Sequence, residues 1–94
     1  MSELLDPSER EELSKRFPEW DIDERRMTRT FEFDDFMEGV DFVNLLADVA
    51  EKAGHHPDID IRYRRVTAVL TTHDAGGLTE SDAEMAQRIN HLAG

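Results

Sequence analysis

Three of the four histidines in this chain, His55, His56 and His73, fall within nineteen positions. Glu51 lies one helical turn before the pair and Asp82 nine residues after the third. An imidazole titrates near neutral pH, so three of them around one cavity can give and take protons under cellular conditions, which few other side chains do. Proton transfer is therefore the first chemistry these residues suggest. Glu51, four residues before His55, is placed to hydrogen-bond it and fix its tautomer. At the end of a helix, His55 and His56 would meet unpaired carbonyls that favour an imidazolium, a ready general acid. His73 is expected at the end of a strand just before a glycine loop, from which it can reach the histidine pair.

Each residue also has a purely structural explanation. His55 or His56 alone can cap a helix, His73 can bond a loop carbonyl, and Asp82 can be the third helical residue of a capping box. Tyr63 reads as a strand residue with an exposed hydroxyl and His91 as solvated in a last helical turn. Only the joint spacing points to a site. Zinc is the rival chemistry, but the chain has no His-x3-His or Glu-x2-His pairing and adjacent histidines diverge, so no metal is expected. With no cysteine in the sequence, disulfides, a thiolate nucleophile and Cys-ligated metals are excluded. Gly76-Gly77 lacks the further glycines and the lysine of a phosphate-binding loop.

The elements that must position these residues follow from local pattern. Asp6-Pro7-Ser8-Glu9 opens a helix as N-cap, first-turn proline and capping-box acid, and Phe17-Pro18 ends it. Trp20 and Ile22, then Met27, Phe31 and Phe33, alternate with polar residues, giving two strands joined through 23–26 as a hairpin. From Asp34 the period becomes helical. Phe36, Val40, Phe42, Val43, Leu46, Ala47, Val49, Ala50 and Ala53 fill one half of the wheel, and Gly54 ends the helix as its C′ residue. Ile59, Ile61 and Tyr63 alternate again, and 66–73 is β-branched and threonine-rich, a second pair of strands. Asp74-Ala75-Gly76-Gly77 is a loop. Thr79-Glu80-Ser81-Asp82 starts a last helix that turns Ala83, Ala86, Ile89 and Ala93 inward. The expected fold is α+β over residues 1–94 as one domain: a four-stranded antiparallel sheet with helices packed on one face, in the order α-β-β-α-β-β-α.

Composition bounds the partners. With 22 acids against 11 bases the chain carries a formal charge of -11, which repels phosphate backbones and anionic lipid, so neither nucleic acid nor a membrane is an expected partner. Lysine occurs only at positions 15 and 52 beside nine arginines. An acid-rich, lysine-poor surface keeps its hydration when salt strengthens apolar association, so a salt-loving source is expected. The segment Met1-Ser2-Glu3-Leu4-Leu5-Asp6 has neither a basic region nor an apolar core, so the cytoplasm is the expected location. A 94-residue domain is near the small end of what buries a core unaided, and an oligomer is expected.

Glu51-x3-His55-His56-Pro57-x5-Tyr63-x9-His73-x8-Asp82 resembles the signature of the pterin-4a-carbinolamine dehydratases, and 73–79 is similar to that family's strand-to-helix segment. The likeness runs over nearly the whole chain. It implies dehydration of 4a-hydroxytetrahydropterin to quinonoid dihydropterin, a small-molecule pterin substrate, a homo-oligomer (dimer or tetramer) and no cofactor. It further implies that His55 and His73 are the catalytic acid/base pair and that His56, Glu51 and Asp82 bind substrate or orient the histidines. Two departures stand out: Ile59-Asp60 where many members carry an aromatic pair, which bears on packing or ligand stacking, and Gly54 where a polar residue is common, which removes an auxiliary acid. Family members also act as dimerisation cofactors for a homeodomain transcription factor, and homologues serve molybdopterin metabolism or protein assembly. A binding module with little dehydratase activity is therefore the alternative, and retention of all three histidines favours the enzyme.

Overall fold

Residues 3–94 are described in the computed structural model; Met1 and Ser2, the start of the segment read for a targeting signal, lie outside them. The capping box forms. Asp6 accepts from the Glu9 N–H at 2.8 Å and Glu9 Oε1 accepts from the Asp6 N–H at 2.9 Å, opening α1 (Pro7–Arg16). β1 (Asp21–Ile22) is only two residues long and pairs with β2 (Met27–Glu32). Trp20, expected in the strand, is instead buried in the core and donates its indole N–H to Asn90 Oδ1 at 2.7 Å. In the intervening turn Asp23 accepts from the Arg25 and Arg26 N–H groups, and these bonds hold its carboxyl below the usual carboxylate range.

Asp35 caps α2 (Phe36–Ala53), accepting from the Glu38 N–H at 2.8 Å. The buried stripe is Gly39, Phe42, Leu46 and Ala50, narrower than the wheel suggests; Phe36, Ala47 and Ala53 are exposed. A helix on a sheet buries only the residues directly over it, and Gly39 sits there, where an added Cβ would stand 3.4 Å from Val66 Cγ2 and 3.5 Å from Phe33 Cδ2.

β3 (Asp58–Arg62) and β4 (Arg65–Leu70) form the second hairpin, and the sheet order is β1-β2-β4-β3, antiparallel throughout. Tyr63 is not a strand residue. It stands in the two-residue turn at φ 53°, a region a bulky side chain rarely adopts, and its side chain is exposed. β4 also stops earlier than its composition suggests, at Leu70, and His73 opens a single 3-10 turn (His73–Ala75) rather than ending the strand. α3 (Glu80–Ala93) buries Ala83, Met85, Ala86 and Ile89, while Ala93, expected inside, is exposed beyond the end of the core. The helices cover one face of the sheet, where Met27, Phe31, Val66, Ala68 and Leu70 meet Phe42, Leu46 and α3.

The glycine loop is pinned to the first hairpin. A Cβ on Gly77 would meet the Glu24 carbonyl oxygen at 2.8 Å and Leu4 Cδ2 at 3.1 Å. Gly77→Ala is therefore expected to push the loop off the hairpin and to lower stability by roughly 1–3 kcal/mol, read as a lower urea midpoint at unchanged slope.

Candidate active site

α2 ends in a Schellman motif: the Gly54 N–H bonds the Glu51 carbonyl at 3.3 Å and the His55 N–H bonds the Ala50 carbonyl at 3.2 Å, with Gly54 left-handed at φ 66°. Backbone donors thus occupy the Ala50 and Glu51 carbonyls, and both rings bond carboxylates. The tight reversal sends the two consecutive side chains in opposite directions. His55 points toward the start of α3, where its Nε2 lies 2.6 Å from Asp82 Oδ1. His56 folds back over the last turn of α2 and its Nε2 bonds Glu51. The expected Glu51–His55 bond is therefore replaced by Glu51–His56, because the left-handed glycine carries His55 away from the helix face that bears Glu51.

Asp82 is fully buried. Its Oδ2 accepts from the Thr79 N–H at 3.0 Å, the capping-box bond expected of it, and from the Thr72 hydroxyl at 2.8 Å. Its Oδ1 is left for His55. A carboxylate engaged as acceptor on both oxygens assigns the shared proton to His55 Nε2. Capping and orienting are thus one arrangement here: the structural explanation of Asp82 and the functional one use different oxygens of the same group.

His73 reaches the pair because the loop closes on itself. The Thr72 carbonyl accepts from the N–H groups of Ala75, Gly76 and Gly77, and the Thr72 N–H donates to the Gly77 carbonyl at 3.1 Å. This tight ring, with Gly76 at φ 78°, presents His73 and Asp74 beside the end of α2. A cavity of about 250 Å³ is lined there by His55, His56, His73, Thr71, Thr72 and Asp74. His55 is recessed, with its side chain 18% exposed, whereas His56 and His73 stand open at the rim. Glu51 and Asp82 touch the histidines rather than the cavity. Tyr63, at the far hairpin, and His91, near the end of α3, are not brought to it.

A larger groove of about 500 Å³ runs between the C-terminal halves of α2 and α3, past Lys52, Glu84, Arg88 and His91. It holds one histidine and no buried acid, so the smaller cavity is the better reaction site. Among the described residues no three His, Asp or Glu side chains converge as a metal-binding group, and no helix is long and apolar enough to cross a membrane. Sequence reasoning missed Thr72 and the Thr79 hydroxyl. Their signal was adjacency alone: Thr72 precedes His73, and Thr79 is the cap three residues before Asp82.

Fold and site together define a small α+β domain with a histidine-lined cavity between a helix C-terminus and a glycine loop. Residues 3–92 match the pterin 4 alpha carbinolamine dehydratase family, and the chain belongs to it. A protein of Nostoc punctiforme, named provisionally as a pterin-4-alpha-carbinolamine dehydratase, is 46% identical over 92 residues, 98% of this chain and 99% of its own. The crystal structure of a transcriptional coactivator/pterin dehydratase from Brucella melitensis superposes with a TM-score of 0.90 at 39% identity, over 97% of this chain and 99% of that one. A pterin dehydratase-like protein identified as a RuBisCO assembly factor in the alpha-carboxysome is more distant, at a TM-score of 0.65 and 25% identity over 80% of this chain and 87% of its own.

Proposed function

We propose that the chain dehydrates 4a-hydroxytetrahydropterin to quinonoid dihydropterin and water, with His55 and His73 as the acid/base pair, returning pterin to use after an aromatic amino-acid hydroxylase. The observation that carries this reading is the convergence of His55, His56 and His73 on one cavity, with a buried carboxylate behind the first. One imidazolium protonates the departing hydroxyl as the carbon–oxygen bond breaks. The other imidazole takes the ring N–H proton, whose electrons become the new C=N bond. No electron leaves the substrate, so the step needs no redox partner. His56, held by Glu51 at the rim, binds the pterin, and Asp82 orients His55. After each turnover the pair has exchanged protonation states, and the exposure of His73 lets solvent restore them. The test is dehydration of freshly generated 4a-hydroxytetrahydropterin, followed as quinonoid dihydropterin forms. Formation no faster than in buffer alone would sink the reading.

The same proposal makes the protein a cytoplasmic homo-oligomer adapted to salt. β3 is an open edge, and Ile59 and Ile61, 37% and 39% exposed, point to the same side as the buried Ala68 and Val66 with no helix over them. The strand runs from acid to base. Two copies paired antiparallel about Ile61 would set Asp60 of each against Arg62 of the other, an isologous contact made twice. Light scattering at micromolar concentration in high salt is expected to give a multiple of 10.8 kDa, and a monomer mass would count against it. Self-repulsion at a charge of -11 is screened as ionic strength rises. The thermal midpoint is therefore expected to climb with molar salt, and a flat or falling series would make the salt adaptation wrong.

A further inference from the structure

The hydrogen bonds behind His55 have a direction. Thr72 Oγ1 lies 2.8 Å from Asp82 Oδ2 and 2.7 Å from Thr79 Oγ1. A hydroxyl carries one proton, so if Thr72 spends it on the carboxylate, its bond with Thr79 must be one in which Thr79 donates. The order is then Thr79 O–H to Thr72, Thr72 O–H to Asp82 Oδ2, and His55 Nε2–H to Asp82 Oδ1. No buried side-chain nitrogen or oxygen among the described residues lacks a partner, and the acceptor-only carboxylate at the end of the line fixes its direction. Thr79 and Asp82 are fully buried, while Thr72 is partly buried and borders the cavity.

We propose that Thr72, backed by Thr79, is a positioning residue for the dehydration. By saturating Oδ2 it holds the Asp82 carboxylate with Oδ1 turned to His55, and so locks that imidazole in the Nε2–H tautomer, leaving Nδ1 as the nitrogen that exchanges a proton with substrate. This rests on the acid/base reading of His55 given above. The physical reason is that a carboxylate with one oxygen unoccupied can rotate about its Cβ–Cγ bond and accept from His55 in more than one geometry. Two donors on Oδ2, one of them the Thr79 backbone N–H, remove that freedom. Thr72 sits next to His73, so the same residue that closes the glycine loop also sets the histidine across the cavity.

The test uses the imidazole ¹⁵N spectrum of His55 in the intact protein together with steady-state kinetics. In the wild type one neutral tautomer is expected, protonated at Nε2; a predominant Nδ1–H form would overturn the proposal without any variant. Thr72→Val keeps the shape of the side chain but removes the hydroxyl, and should mix the tautomers and lower kcat roughly tenfold with KM nearly unchanged. Thr72→Ser should restore both. Thr79→Val, which leaves the backbone N–H in place, should shift the spectrum in the same sense but less, and it serves if Thr72→Val does not fold. A Thr72→Val protein with the wild-type spectrum and kcat, or a Thr72→Ser protein as impaired as Thr72→Val, overturns the assignment. The tautomer is read without turnover, so a wild type that shows the Nε2–H signature yet dehydrates nothing counts against the proposed reaction and not against the hydrogen-bond line.

Discussion

Replacing His55 or His73 by alanine is expected to lower kcat, each by roughly 100-fold or somewhat less, whereas His56→Ala should mainly raise KM. The division follows from position. His55 is recessed and anchored at 2.6 Å to a buried carboxylate, the setting of a group whose proton must be delivered in one direction. His73 faces it from the glycine loop. His56 is exposed and paired with an exposed Glu51, so it can hold ground and transition states alike. The lower end of the range is favoured by the substrate: an adjacent nitrogen lone pair already expels the hydroxyl of a carbinolamine, leaving less barrier to remove than in amide hydrolysis. If each histidine can cover for the other, His55→Ala combined with His73→Ala should cost far more than either change alone. The measurement is kcat and KM for three single variants and the double, each with its fold and mass verified. Near-wild-type kcat in the double variant would return both residues to structural roles.

Asp82→Ala should be the most destabilising single change near the site, by on the order of 3 kcal/mol. The carboxylate is fully buried and receives the Thr72 hydroxyl, the Thr79 N–H and His55. Its removal strands the buried Thr79 N–H and the partly buried Thr72 hydroxyl and frees an imidazole that is only partly able to rehydrate. It also removes the N-terminal bond that starts α3, the helix that carries Ala83, Met85, Ala86 and Ile89 into the core. Asp82→Asn should fold better than Asp82→Ala, since the amide oxygen can keep the Thr72 and Thr79 donors. Its NH2 then meets His55 Nε2 as a donor, however, and forces the opposite tautomer. Stability retained with kcat lost is the expected signature of the asparagine variant. Urea midpoints for both variants decide the first claim, and a loss for Asp82→Ala below about 1 kcal/mol would mean that the site relaxes around the gap.

Local chemistry was legible in the sequence because it depends on neighbours in the chain. The Asp6–Glu9 capping box, the end of α2 at Gly54, the change from a period of two to a helical period at Asp34 and the start of α3 at Thr79 each involve groups within a few residues of one another, so type and spacing suffice to place them. The cluster of histidines and the resemblance it carries were legible for the same reason. Partner choice was not. Glu51 and His55 are close in sequence, yet a left-handed glycine separates them, and the carboxylate that meets His55 comes from 27 positions away. Nor does alternation reveal which strand is an edge: Ile59 and Ile61 have the pattern of core residues, but the order β1-β2-β4-β3 leaves them without a helix above. The hydroxyls of Thr72 and Thr79 look like ordinary strand and cap residues until β4, the glycine loop and α3 bring them against one carboxylate. Spacing along the chain determines which groups can act; the tertiary structure decides which of them touch, because a hydrogen bond depends on ångströms and direction, which sequence separation does not encode.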